Sequence, residues 1–194
     1  MKKFIILIVA IVALGAWIMP QYNNLVKLDE GVNAKWAQVQ NQYKRRADLI
    51  PNLVQTVKGY AKHESQTLQN VIEARSKATS INLNASDLSD QAKMKAFVDA
   101  QNSLSSALSK LMVVVEKYPE LKADESFLKL QDQLEGTENR IAIARKDYID
   151  ELQGFNTVLR SFPTNLIAKI FTQISPKESF KASENEQNAP QVSF

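Results

Sequence analysis

The chain has no cysteine, a single histidine and only five glycines in 194 residues. Without cysteine there is no disulfide framework, no thiolate nucleophile, no zinc–thiolate site and no lipidated lipobox cysteine. The lone His63 cannot grip zinc as a zincin pair does, because the second imidazole would have to stand four residues on, and that position is Thr67. Nor can one histidine supply the two Glu-x-x-His pairs of a di-iron bundle. The few glycines form neither a phosphate-cradling loop nor a glycine-flanked nucleophile elbow. His63 reads instead as a helix-surface residue beside an apolar seam. The expectation is a protein with no catalytic set, no cofactor and no metal, and not an enzyme.

Excess charge is also missing. The formal net charge is +3, from 24 basic and 21 acidic side chains. Lys2 and Lys3 precede the N-terminal apolar run, so the remainder holds 22 against 21, a net of +1. A sequence pI near 9.0 is then poor support for a nucleic-acid partner, and none is expected. With 44% hydrophobic and 23% charged residues the body should fold around an ordinary core.

What the sequence does have is "MKKFIILIVAIVALGAWIM", a short basic head and an uncharged stretch over residues 4–19. Sixteen residues at 1.5 Å each give roughly 24 Å, somewhat short of a ~30 Å hydrocarbon core but within what bilayer thinning and lysine snorkelling absorb. Trp17 and Tyr22 stand where an interfacial aromatic belt would. A cleaved signal peptide is the alternative, with Ala13-Leu14-Gly15 as the small-x-small site, but Trp17, Ile18 and Met19 carry the apolar run past it. The reading is an uncleaved transmembrane signal anchor over residues 1–22. Lys2 and Lys3 stay cytoplasmic, since residues 21–40 balance Lys27 and Lys35 with Asp29 and Glu30. The chain is then a single-pass protein of the inner (cytoplasmic) membrane of a bacterial-type envelope, its body extracytoplasmic.

Beyond the anchor every long pattern is helical. Leu25, Leu28, Val32, Trp36, Val39 and Tyr43 recur in threes and fours, as do Ile50, Val54, Val57, Ala61, Glu64, Leu68, Val71, Arg75 and Ala78. Two further seams run from Phe97 to Tyr118 and from Phe127 to Phe162. A mean spacing near 3.5 predicts coiled-coil-like packing. The fold class is all-α, an antiparallel up-and-down four-helix bundle over residues 23–163, with helices at about 23–46, 49–79, 88–118 and 124–162. Asp48 would cap the second helix with Pro51 in its first turn, Ser86 or Ser89 the third, and Asp124 the fourth. Residues 164–176 read as a short amphipathic segment, with Leu166, Ile167, Ile170, Phe171 and Ile174 on one face, and 177–194 as a polar flexible tail.

On that topology the end farthest from the membrane is built from Lys44, Arg45, Arg46, Asp48 and Pro51 together with Tyr118 and Pro119, a candidate interaction tip. A stiff helix over residues 23–46 puts the basic triplet ~36 Å above the bilayer. The triplet otherwise only complements the dipole at a helix C-terminus. A candidate polar seam comprises Glu64 and Arg75 on the second helix with Glu138 and Arg145 on the fourth. Its members either pair as register-setting layers or line a groove, which would make the bundle a small-ligand or ion sensor. At the membrane end, the apolar face of residues 164–174 can lie in the lipid interface.

The stretches "YNNLVKLDEGVNAKWAQVQNQYKRRADLIPNLVQTVKGYAKHE", "EARSKA", "VEKYPELKADESFLKLQDQLEGTENRIAIARKDY" and "FNTVLRSFPTNLIAKIF" resemble the LemA family over about residues 22–180. The resemblance implies a membrane-anchored or exported antiparallel four-helix bundle. It carries no catalytic residues over, since the family's molecular function is largely unknown. One position departs: the family's usual Tyr-Asn is Tyr148-Ile149 here. The functional expectation is a non-enzymatic, membrane-tethered interaction or scaffold protein with an envelope protein as partner.

Overall fold

A computed structural model describes residues 2–172 and 174–180. Its elements are α1 (Lys2–Tyr60), α2 (Ser65–Ser80), a 3₁₀ turn (Ala85–Ser89), α3 (Gln91–Val115), the single turn α4 (Pro119–Lys122), α5 (Glu125–Arg160) and α6 (Thr164–Phe171). The protein is all-helical, a long apolar N-terminal helix leading into a packed four-helix body.

Helix α1 dominates the architecture. Its 59 residues reach about 88 Å at 1.5 Å per residue. Residues 4–14 are exposed throughout and apolar, with none of them buried against the other described residues. From Leu25 onward the same helix buries Val32, Trp36, Val39, Tyr43, Ile50, Leu53 and Val57, one stripe at helical spacing. Helix α5 runs antiparallel along it, as three contacts show: Lys35 with Asp147, Arg46 with Glu138, and Tyr60 with Asp124. Helix α2 returns along the upper part of α1, and α3 packs antiparallel on α2, giving the order up, down, up, down with α5 as the fourth member.

The first corner is not where capping signals place it. No break occurs at residues 47–48, and Asp48 caps nothing; α1 continues through Pro51 to Tyr60, and the chain turns at residues 61–64. The apolar seam from Ile50 to Ala78 keeps its phase across that turn, so periodicity alone does not mark it. His63 sits exposed in the turn rather than on a helix surface. The tip moves outward accordingly. From Arg46 to Tyr60 α1 rises a further 21 Å or so.

Elsewhere the caps are plain. Asp90, not Ser86 or Ser89, caps α3, accepting from the N–H groups of Ala92 (2.9 Å) and Lys93 (3.1 Å). Asp124 caps α5 by accepting from Phe127 N–H at 2.8 Å. Asn84 and Asp87 form a capping box around the 3₁₀ turn.

The core divides into two apolar clusters. The lower holds Leu25, Val32, Trp36, Phe97, Tyr148, Phe155 and Ala168, and the upper holds Ile50, Leu53, Val57, Leu68, Leu104, Leu111 and Phe127. Residues 174–180 cross the lower half as an extended strap, so the polar tail does not begin at 177. Residues 181–194 lie outside the described residues.

Candidate functional site

Proline inside a helix deprives the carbonyl four residues back of its hydrogen bond. For Pro51 that carbonyl belongs to Ala47, which is buried. Arg75 on α2 supplies the missing donor: its Nε reaches the Ala47 oxygen at 2.7 Å. The seam residue Arg75 therefore spends its Nε donor on a backbone carbonyl, at the edge of an open cavity of about 570 Å³ that it lines with Ile50, Pro51, Val54 and Leu68. It repairs the break that Pro51 makes in α1 and ties α2 to α1 at that level. This is how a proline-bearing stretch stays helical.

One turn away lies the buried charge. Arg46 is 1% exposed, the one member of Lys44-Arg45-Arg46 to turn inward. Its Nη1 donates to Glu138 Oε1 at 2.8 Å and to Ser105 Oγ at 2.9 Å, and its Nη2 to Gln101 Oε1 at 2.7 Å. Gln101 in turn donates to the Ala78 carbonyl at 3.2 Å. The guanidinium also sits 5.1 Å from the Tyr43 ring centre. Four helices meet in this layer, which lies between the lower and upper apolar clusters. Its Arg46 Nε has no hydrogen-bond partner among the described residues. Tyr43 is pushed above its ordinary pKa by burial, against the pull of Arg145 and Arg46.

The structure separates the residues of the expected tip. Lys44, Arg45, Asp48 and Pro51 are exposed but lie midway along the body, where Lys44 and Asp48 line an open cleft of about 390 Å³ with Gln40, Tyr43 and Phe97. Tyr118 and Pro119 do stand at the far end, joined there by other groups. Tyr118 donates its phenol proton to Glu64 at 3.3 Å, and Tyr60 donates to Asp124 at 2.9 Å. The Phe127 N–H and then the Tyr60 hydroxyl hold the Asp124 carboxyl below the usual carboxylate range. The polar seam is likewise dispersed. Glu64 belongs to the tip, Arg75 to the proline repair, Glu138 to the Arg46 layer, and Arg145 to the strap.

That strap escapes a reading of the sequence. Lys177 is 8% exposed and pairs with Asp29 at 2.7 Å while donating to Asn33 at 2.6 Å. Asn156 brackets its backbone on both sides, and the Glu178 N–H donates to the Leu88 carbonyl at 2.7 Å. Phe180 meets Trp36, Tyr148 and the Arg145 guanidinium, 4.5 Å from its ring centre. The Tyr148 hydroxyl donates to the Glu178 carbonyl at 2.9 Å, and burial drives its pKa well above the ordinary phenol value. Ile149, where the family's usual Asn would stand, is packed against the lower cluster. The only sequence signal for the strap is one lysine and one phenylalanine in polar surroundings.

Fold and site together define a helical bundle organised around a buried arginine layer and carried on one candidate membrane-spanning helix. The chain belongs to the LemA family, whose model matches residues 35–194. It is 26% identical over 202 residues to magnetosome protein MamQ 2 of Paramagnetospirillum magneticum, a match covering 96% of this chain and 72% of that protein. It is 24% identical over 189 residues to Protein LemA of Metamycoplasma hominis, covering 96% and 82% respectively. A third relative, magnetosome protein MamQ of Magnetospirillum gryphiswaldense, is 23% identical over 179 residues, covering 84% and 66%.

Proposed function

We propose that this LemA-family protein is a non-enzymatic, membrane-tethered strut that presents the far end of its bundle to another protein of the envelope. The observation that carries the reading is the uninterrupted α1. One helix contains both the exposed apolar run and the long stripe that holds the bundle together, so no flexible linker separates span from body. The far end is then Tyr60 to Glu64 with Tyr118 to Asp124, about 60 Å beyond the apolar run.

The seam charges support this reading over a ligand sensor. Glu64, Arg75, Glu138 and Arg145 each have a partner within the fold. Orientation follows from Lys2 and Lys3 at the cytoplasmic end, with the body outside.

Because the chain lacks cysteine, each introduced cysteine reports alone. A membrane-impermeant maleimide should label K62C in intact cells; labelling only after lysis would overturn the orientation. Photo-crosslinkers at Lys62 and Glu120 should each capture one discrete protein, while one at exposed Ile143 should not. Adducts equal at all three positions would contradict a docking tip.

A further inference from the structure

Helix α6 is small, yet it leaves much apolar surface uncovered. Ile167 and Ala168 are buried against the body, whereas Leu166 is 50%, Phe171 56% and Ile170 70% exposed, with Phe162 just ahead at 76%. Four large apolar side chains on one short segment call for a partner other than water.

The antiparallel register of α1 and α5 says at what height they lie. Lys35 meets Asp147, Arg46 meets Glu138 and Tyr60 meets Asp124, so each step down α1 is matched by a step along α5. Continued to the end of α5, that register sets Arg160 beside about residues 22–24 of α1. The apolar run ends at Met19, so Arg160 stands within about two helical turns of it. Helix α6 follows Arg160 directly and packs on both α1 and α5. The first α1 residues to lose exposure are Gly15, Ile18 and Gln21, on the face leading to buried Leu25. The α6 end of the body therefore sits level with the end of the span.

Charge is arranged to suit. Arg160 and Lys169 line an open cavity of about 540 Å³ with Asn165, Ala168, Ile174 and Pro176, and neither cation has a carboxylate partner among the described residues. A bilayer offers both complements at one depth, acyl chains for the exposed rings and phosphates for the cations.

We infer that α6 with Phe162 is a second membrane contact: Phe162, Leu166, Ile170 and Phe171 enter the lipid interface while Arg160 and Lys169 hold anionic phospholipid headgroups. The inference rests on residues 4–19 spanning the bilayer. It gives the strut two footings, a span and a seat beside it, which together resist tilting.

The test uses the full chain with one environment-sensitive label at a time, at I170C, at I143C on exposed α5, or at V12C inside the span. The protein is reconstituted in vesicles of phosphatidylcholine, with or without phosphatidylglycerol, containing brominated lipid as quencher. The label at I170C should be quenched several-fold more than that at I143C, and more still as phosphatidylglycerol rises. In R160Q/K169Q the rise with phosphatidylglycerol should vanish. Equal, weak quenching at I170C and I143C with strong quenching at V12C overturns the seat and leaves the span intact. Weak quenching at V12C as well would overturn the span itself. Strong quenching at I170C that ignores phosphatidylglycerol contradicts the headgroup role. A label at I170C shielded from aqueous quencher but untouched by lipid would mean a protein covers α6, and the inference fails.

Discussion

At the scale of single residues, two arginines tie α1 to the other helices of the bundle. Arg75 donates to the Ala47 carbonyl only because Pro51 cannot. Arg75→Met should therefore cost about 1–3 kcal/mol, the penalty for a buried carbonyl left without a donor. In a P51A background the restored N–H takes that bond, and the same substitution should cost far less. Urea unfolding of the four variants gives the coupling directly. Equal costs in both backgrounds would contradict the repair. Arg46 makes an asymmetric pair with Glu138, since its side chain is 2% exposed and that of Glu138 46%. Glu138→Ala strands a buried cation and should destabilise by roughly 2–3 kcal/mol, under the 3–5 of a fully buried pair because solvent screens the carboxylate. Adding Arg46→Met to Glu138→Ala should restore part of that loss, and a further large loss would show that the guanidinium contributes mainly through Gln101 and Ser105.

At the scale of elements, the strap is the part least visible beforehand. Helix existence follows from apolar spacing, and the cap at Asp124 from a carboxylate placed before a helical seam, whereas at α3 the serines at 86 and 89 drew attention from Asp90, the residue that caps it. The corner after α1 does not, because a conserved seam phase hid the turn at 61–64 while Pro51 offered a false stop. The donor that bridges the break at Pro51 is the side chain of Arg75, 28 residues along the chain from Ala47, and local signals contain no trace of it. The strap is harder still. Its backbone is held by Asn156 and Leu88, and its side chains by groups on α1 and α5, none of them sequence neighbours. One consequence is measurable. Burial beneath the strap raises the Tyr148 pKa, first by desolvation and then by the nearby Glu178 charge. A raised folded pKa means that this contribution to stability is complete below about pH 10 and is lost as pH climbs toward the folded value. Ultraviolet titration should show Tyr148 still protonated where free phenols have ionised. Truncation after residue 176 should return its titration toward the ordinary value, and an unchanged high titration would mean the strap does not cover it.

At the scale of the whole molecule, the apolar N-terminal run and the bundle share one helix. The run was legible in sixteen uncharged residues behind two lysines, and the bundle in four apolar seams. The distance between apolar run and tip was not, since it depends on where α1 ends. With the corner at residues 61–64, the far end of the body combines Tyr60, Glu64, Tyr118 and Asp124, and the basic residues Lys44 and Arg45 lie on its flank. The tip and the basic flank therefore present different chemistry at different heights.

The central claim is that α1 runs unbroken from the apolar run to that tip. Spin labels at N24C and K58C, both exposed positions on α1, test it by pulsed electron–electron distance measurement in the full chain. An unbroken helix separates them by 34 residues and predicts a narrow distribution near 51 Å. A reversal at residues 47–48 would bring position 58 back down the bundle and give a distance of about 20 Å instead.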